Sequence, residues 1–301
     1  MRTLRLATRG SPLAIWQAQH AAQRLVAPTE LVIVETSGDK RTDIPIWQLG
    51  ERGVFSKEVQ YSLLEGDADV AVHSAKDLPS STSIDGLTLV GMLERGDARD
   101  VLVGSTLEGL PHGATVATGS ARRQVQMQSM RPDVLFTNLR GNIGTRLQKL
   151  DDSTEISAIV MAAVALERLG WTNRIDHMFD VDQMLPQVGQ GALAVECRTD
   201  DAETIQALQA VCHATSTTCV MAERAFLAEL GGACDLPVGA YAELANDVIT
   251  ITGLVATVDG VLHRHHESGT VAAEVGASVA RHLLNVIGGR DALDEAKSAF
   301  K

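Results

Sequence analysis

The sequence has few aromatic residues, few cysteines and no excess of positive charge. Aromatic residues make up 3% of its 301 residues and hydrophobic residues 45%, so we expect a core of Ala, Val, Leu and Ile, as in α/β proteins with buried parallel strands. The net charge of −12 argues against a nucleic-acid-binding protein, because neutralising phosphates needs a basic surface. No apolar stretch is long enough to span a bilayer, and the N-terminus is not typical of a signal peptide, so we expect a cytoplasmic protein.

Cysteine and histidine spacings do not indicate a metal centre. The strand-like run over residues 261–268 carries His263, His265 and His266, which strand alternation divides between two faces. We therefore expect no metal there. The cysteines form no Cys-x-x-Cys pair and match no histidine spacing, so they suggest neither a zinc site nor a disulfide framework, and reduced thiols fit best. They are Cys197, Cys212, Cys219 and Cys234.

Cys234 lies in a loop punctuated by glycine and proline, Gly231–Tyr241. Two glycines before the cysteine permit positive φ and keep side-chain bulk away, and Pro237 and Gly239 shape the chain beyond it. Such a loop presents a thiol rather than burying it. A free cysteine is, however, commonly a small apolar packing residue, and both interpretations stay open on these residues alone.

The order of predicted elements indicates two similar α/β domains flanking a cleft, as in periplasmic solute-binding proteins, and a small C-terminal α+β domain. Strands and helices alternate in two blocks, and a three-stranded antiparallel meander with a long helix follows. We expect domain 1 to comprise residues 1–95 and about 190–212. Domain 2 would then span residues 96–189 and domain 3 residues 213–301.

Arginines stand where predicted strands end and helices begin. Ser11 and Pro12 are typical of a helix start, and Arg9 lies beside them, an arrangement that also fits a plain capped helix. Helix N-termini favour negative charge, and arginine suits forked recognition of carboxylates, so repetition of this pattern predicts a site for a polyanionic ligand. Two later strand ends repeat it with Arg122, Arg123, Arg140 and Arg146.

Lys76 and Asp77 follow another predicted strand, Asp69–His73. Open α/β sheets bind ligands at the carboxyl ends of their strands, so this pair is placed for charge chemistry. Asp77 would exchange a proton or hold a cationic intermediate, and Lys76 would pair with a carboxylate. The alternative is a solvated pair before a proline turn. The polar loop over residues 37–53 is long for a connection and is a candidate lid.

Taken together, these motifs resemble the hydroxymethylbilane synthase, or porphobilinogen deaminase, family across essentially the whole chain. The motifs occur in the family's order. They are Ala7–Ala14, His73–Pro79, Ser120–Arg123, Leu139–Arg146, Val188–Ala192 and the Cys234 loop.

The resemblance implies a transferase of haem and tetrapyrrole biosynthesis. One dipyrromethane cofactor per chain would be assembled from substrate and bound to Cys234 by a thioether. Four porphobilinogen molecules would then condense head to tail with loss of ammonia, and hydrolysis would release the linear tetrapyrrole hydroxymethylbilane. The resemblance also implies a cytoplasmic monomer whose partner is the small molecule porphobilinogen, without a metal, nucleic acid or membrane.

The same resemblance assigns roles to individual residues. Asp77 would be the catalytic group, assisting ammonia loss and stabilising the cation. The substrate would be bound by Arg9, Ser11, Gln17, Arg140 and Arg146. Besides Cys234 and Asp77, the cofactor would be bound by Lys76, Ser74, Ser120, Arg122, Arg123, Arg140 and Arg146.

Two other classes of protein compete with this interpretation. A non-enzymatic anion-binding protein would share the two-domain architecture but would leave Cys234 unexplained. A thiol-dependent hydrolase would need a histidine beside Cys234, and His213 is the nearest candidate in the sequence.

Overall fold

A computed structural model of the chain describes residues 2–36, 56–80, 84–231, 236–257, 259–286 and 289–299. Its strands are β1 (Leu4–Arg9), β2 (Thr29–Val34), β3 (Val70–Ser74), β4 (Leu87–Met92), β5 (Asp100–Val103), β6 (Thr115–Ala117), β7 (Leu135–Thr137), β8 (Ile156–Ala162), β9 (His177–Met178), β10 (Leu193–Arg198), β11 (Val238–Ala245), β12 (Val248–Ala256) and β13 (Leu262–Gly269). Its α-helices are α1 (Pro12–Ala22), α2 (Lys57–Leu64), α3 (Ala121–Met130), α4 (Ile143–Asp151), α5 (Ala163–Arg168), α6 (Ala202–Gln209), α7 (Ala214–Glu229), α8 (Ala272–Asn285) and α9 (Gly289–Ala299). Among the described residues, none of these helices has the length and apolarity needed to cross a membrane.

The first two sheets each contain five strands, in the orders β2-β1-β3-β10-β4 and β7-β6-β8-β5-β9. β1 is parallel to β2 and β3, and β6 is parallel to β7 and β8. β10 and β5 run antiparallel to their neighbours. The predicted pair of α/β units is confirmed, but the sheets are mixed rather than wholly parallel. The exact domain boundaries stay a prediction.

The antiparallel strands follow from where the chain crosses between the two sheets. It crosses over residues 93–99, after β4, and again over residues 179–192, after β9. Each crossing leaves one sheet at its carboxyl edge and enters the other at the corresponding edge. The next strand, β5 or β10, must therefore run away from that edge. The same path brings the two carboxyl edges, where ligands bind in such sheets, to face each other.

The two crossovers contact each other at Gly96 and Gly191. The N–H of Gly96 donates to the Gly191 carbonyl oxygen at 3.2 Å. Gly191 has a φ of +90°, and a Cβ there would lie 2.5 Å from the Gly96 carbonyl oxygen. Glycine is therefore required at 191 both for its backbone conformation and for the close approach.

The third sheet is the antiparallel meander β11-β12-β13, as predicted. Its hairpin turn places Asn246 and Asp247 at φ values of 50° and 61°, which asparagine and aspartate tolerate better than most residues. Helices α7 and α8 cover one face, where Phe226 and Val279 pack with Ile251 in a buried apolar cluster. The sequence predicts a long helix over residues 272–287 that ends at the glycine pair 288–289; in the structure α8 ends at Asn285, and a further helix, α9, begins at Gly289.

One buried carboxylate joins this third sheet to both crossovers. Glu223, on α7, is fully buried. Its Oε1 accepts from Arg95 Nη1 at 2.6 Å, in the first crossover, and from the N–H of Ala242 at 3.0 Å, in β11. Its Oε2 accepts from the N–H of Gly189 at 2.7 Å, in the second crossover. Three segments distant in sequence are thus held by one side chain.

Replacing Glu223 with alanine should destabilise the protein severely. Arg95 and two backbone N–H groups would stay buried without their acceptor, and breaking a buried pair in this way costs about 3–5 kcal/mol in free energy of unfolding. Urea denaturation followed by circular dichroism measures the loss. Glu229→Ala, on the same helix, is the control, since its pair with Arg281 is exposed and 3.5 Å long. That change should cost no more than about 1 kcal/mol. Equal losses in the two variants would contradict the joining role of Glu223.

Candidate active site

The candidate site lies where the carboxyl edges of the first two sheets meet. β1 and β3 are parallel and end at Arg9 and Ser74, and a 3₁₀ turn, Ala75–Asp77, follows directly. On the other sheet, the parallel strands β6 and β7 lead into α3 and α4, which carry the other predicted arginines. Asp77 lies close enough to Arg146 to act on the pKa of that guanidinium across the cleft.

One wall of the site gathers residues from α1 and from the ends of β1 and β3. Gln17 is buried on α1, and its Nε2 donates to the Ser74 hydroxyl at 2.9 Å. Both side chains line a pocket that also contains Arg9 and Asp77. The structure therefore brings together four residues that the sequence assigns to the site.

Lys76 lies deeper, between the two sheets. Its ammonium nitrogen Nζ is 3.3 Å from Oε1 of Gln190, in the second crossover. Burial and the nearby Arg123 guanidinium lower the pKa of Lys76 to about 8, and the carboxylates of Asp77 and Asp100 oppose that change. Lys76 is thus a cation whose charge is weakly compensated by the protein, which favours an anionic neighbour.

Arg122 and Arg123, at the start of α3, both bind a carboxylate inside the protein. Asp100, the first residue of β5, is fully buried and lies 2.7 Å from a guanidinium nitrogen of each arginine. The Nε2 of Gln190 donates to the same carboxylate at 2.9 Å. Although burial raises the pKa of Asp100, the two guanidinium groups outweigh that effect and hold it at about 2. One negative charge therefore faces two positive ones.

Arg146 adds a further half-buried cation at the start of α4. Its Nε donates to the Gly141 carbonyl oxygen at 2.8 Å, which fixes the direction of the guanidinium. Burial, Arg123 and Arg140 lower its pKa to about 10, and only Asp77 is among the groups that raise it. Several cations thus repel one another in a partly desolvated cleft. An anionic ligand would reduce that repulsion and would replace the water contacts that the cations have lost.

The two serines assigned to the site cap helices in the structure. The Ser11 hydroxyl accepts from the N–H of Ala14 at 3.3 Å, which confirms the predicted start of α1. The Ser120 hydroxyl accepts from the N–H of Arg123 at 3.4 Å. Each hydroxyl therefore already stabilises the helix N-terminus that faces the cleft.

Cys234 and the candidate lid over residues 37–53 lie outside the described residues. His213, the histidine considered for a hydrolase, caps α7: its Nδ1 accepts from the N–H of Ser216 at 3.2 Å. The ring therefore has a structural task at the beginning of that helix.

Sequence reasoning missed two residues that organise the site, Asp100 and Gln190. Gln190 is fully buried and binds Lys76, Asp100 and the Ala98 carbonyl oxygen. It falls within a motif on which the family resemblance rests, but its spacing gives no hint of its contacts. Asp100 stands at the end of a run of exposed-looking charges, and only its position before three apolar residues distinguishes it.

The fold and the site define a class of protein: a two-lobed α/β protein with a third domain, whose cleft, in the part of the chain that the structure describes, holds several cations around Asp77. Residues 4–206 match the family model "Porphobilinogen deaminase, dipyromethane cofactor binding domain", and residues 217–285 match "Porphobilinogen deaminase, C-terminal domain". The chain belongs to the porphobilinogen deaminase family. Membership makes it a transferase of tetrapyrrole biosynthesis that binds a dipyrromethane cofactor and porphobilinogen.

Similar solved structures include two-lobed binding proteins. The Bordetella pertussis BvgS VFT2 domain is 16% identical, with 74% of this chain and 91% of that one covered at a TM-score of 0.41. The Salmonella typhimurium periplasmic binding protein STM4351, described as having high arginine specificity, is 13% identical, with coverages of 70% and 92% and a TM-score of 0.37. The B. pertussis BvgS periplasmic domain is 17% identical at a TM-score of 0.38, and 69% of this chain spans only 39% of it. Similarity at this level carries no argument about function.

Asp100→Asn should destabilise the protein at neutral pH, because two buried guanidinium groups would lose their counter-charge. The pKa of Asp100 is lower in the folded state than in the unfolded state, so its contribution is present above about pH 4 and is lost as the pH falls toward 2. The difference in unfolding midpoint between wild type and variant should therefore shrink over that range in urea denaturation series.

Asp151→Asn is the matched control, since it removes a carboxylate that pairs with Arg174 at the surface. The unfolding midpoint of Asp151→Asn should differ little from that of wild type at every pH. If the difference in unfolding midpoint between wild type and Asp100→Asn stayed constant down to pH 2, the Asp100 carboxylate would not be the charge that balances the two arginines.

Proposed function

We propose that the protein is a hydroxymethylbilane synthase, which condenses four porphobilinogen molecules stepwise, head to tail, releases ammonia at each addition and hydrolyses the product to hydroxymethylbilane. The observation that carries the proposal is the position of Asp77, a carboxylate that lies in the cleft among the cations Arg9, Lys76 and Arg146. We propose further that it works as a cytoplasmic monomer, without a metal in the active site and without a nucleic acid or membrane partner.

The donor set of the cleft fits the cofactor that the family binds. A dipyrromethane carries acetate and propionate arms, and carboxylates are the groups that guanidinium and ammonium donors recognise. Within the described residues, Nε of Arg122 is buried and has no hydrogen-bond partner, so this N–H is a donor that the protein leaves without an acceptor. When bound, the cofactor supplies the pyrrole carbon to which the first new ring is joined.

Asp77 would stabilise the positive charge that develops on the substrate. Loss of ammonia from porphobilinogen leaves a cation, and a carboxylate fixed beside it stabilises charge where it forms. Asp77 is held by the 3₁₀ turn that directly follows β3, so it needs little reorganisation when that charge appears. It would also hold the pyrrole N–H groups by accepting their hydrogen bonds.

The surrounding cations would hold the acidic arms and so fix the reacting rings. Arg9 and Arg146, with Arg140, would bind the incoming substrate, assisted by Ser11 and Gln17. Lys76, Arg122 and Arg123, with Arg140, Arg146, Ser74 and Ser120, would bind the cofactor. A primer tethered through Cys234 makes each condensation effectively intramolecular, which removes much of its entropic cost.

The covalent attachment can be tested by intact-mass spectrometry of the purified protein. The mass should exceed that of the sequence by two pyrrole units, and Cys234→Ser should abolish the excess. Cys212→Ser is the control, because Cys212 is a half-buried thiol elsewhere in the chain. An unmodified wild-type mass, or an excess that survives in Cys234→Ser, would contradict the thioether.

Asp77→Asn should lower kcat by at least about 100-fold, because it removes a charge that stabilises the transition state while keeping the shape of the side chain. Hydroxymethylbilane formation from porphobilinogen is the measurement, with intact mass as a separate readout of cofactor loading. The exposed Asp85→Asn serves as control and should keep wild-type turnover. Near-normal kcat in a loaded Asp77→Asn enzyme would refute the catalytic role.

A further inference from the structure

Three metal-ligating side chains converge in the third domain, on a face that the activity does not use. His265 and Glu267 are two residues apart on β13, so both point to the same side of the sheet. His282 reaches them from α8, which packs on that side. One ligand atom from each of the three lies within 4.8 Å of the other two.

The contacts among the three groups are close and specific. Nε2 of His265 lies 3.0 Å from Oε1 of Glu267. The His265 and His282 rings are stacked, with centroids 3.6 Å apart and an angle of 10° between their planes. Two imidazoles and one carboxylate thus meet in one small volume, where each offers a ligand atom to a metal ion.

We propose that His265, Glu267 and His282 bind one divalent transition-metal ion of the Zn²⁺ type, with water completing the coordination. Two imidazole nitrogens and one carboxylate oxygen form a ligand set that Zn²⁺ accepts. Tetrahedral coordination at its usual Zn–N length of about 2.0–2.1 Å places ligand atoms about 3.3 Å apart. All three side chains are half-buried, and their ligand atoms, which lie within 4.8 Å of one another, would move closer together and the stacked rings would turn when the ion binds.

The position of the site gives the ion a structural role. His265 pairs across the sheet with Gly253, and a Cβ at that glycine would lie 2.4 Å from the ring of Phe226. At Gly253, β12 therefore lies very close to α7 and α8. An ion bound there would tie β13 to the last turns of α8.

The sequence alone does not reveal this site, because alternation along β13 places His266 on the opposite face from His265. The third ligand comes from a helix that is separated from the strand by a turn. Only the packing of α8 on the sheet brings His282 to the pair.

Isothermal titration of the full-length, cofactor-loaded protein with Zn²⁺ tests the proposal. Wild type should bind one ion at this site, and His282→Ala should weaken that binding by at least about tenfold. His266→Ala is the matched control, since it removes an exposed histidine from the other face of the same strand and should leave the affinity unchanged. The cysteines are identical in all three proteins, so a difference between the variants cannot arise from thiols.

Glu267→Gln provides a second variant that removes the charged ligand while keeping the size of the side chain. Circular dichroism should show that both variants fold, and both should bind Zn²⁺ more weakly than wild type. Wild-type affinity in His282→Ala and Glu267→Gln, or an equal loss in His266→Ala, would overturn the proposal.

Discussion

The ion pair between Glu223 and Arg95 holds together the parts of the chain on which the rest of the structure depends. The Glu223 carboxylate accepts hydrogen bonds from both crossovers between the first two sheets. It also accepts one from the first strand of the third sheet. A carboxylate is suited to the task because it accepts from several directions at once. Arg95 also lies 5.0 Å from the centre of the Tyr241 ring, which packs the pair from the third domain.

The charged residues of the cleft are positioned by the crossovers that Glu223 holds together. Asp100 neutralises only part of the charge of Arg122 and Arg123. The uncharged amide of Gln190 links that cluster to Lys76 by hydrogen bonds. An amide at this position joins the groups without adding negative charge. The cleft therefore keeps its attraction for acidic ligands, while its arginines are held in place by partners inside the protein. This arrangement explains how a protein with a net charge of −12 maintains a cationic interior surface.

Sequence reasoning located most strands, the capped helix starts and the arginines beside them, because these depend on local periodicity and on residues a few positions apart. It also placed Lys76 and Asp77 at a strand end, and the motifs identified the family. It could not find Asp100 or Gln190, since their partners lie up to 114 residues away in the sequence. The antiparallel direction of β5 and β10 and the meeting of His282 with β13 likewise depend on how distant elements pack. Roles that rest on Cys234 and on residues 37–53 stay predictions.

The adjacency of the two crossovers has a mechanical consequence. Two connections that lie side by side and share the hydrogen bond between Gly96 and Gly191 are where a hinge between the two α/β units would lie. If the two units rotated about these connections, groups close to them, such as Lys76 and Gln190, would keep their spacing, whereas the distant rims of the cleft would separate. In the proposed condensation, such a rotation would give a lengthening oligomer room at the mouth of the cleft, while the reacting end stayed beside the same few side chains.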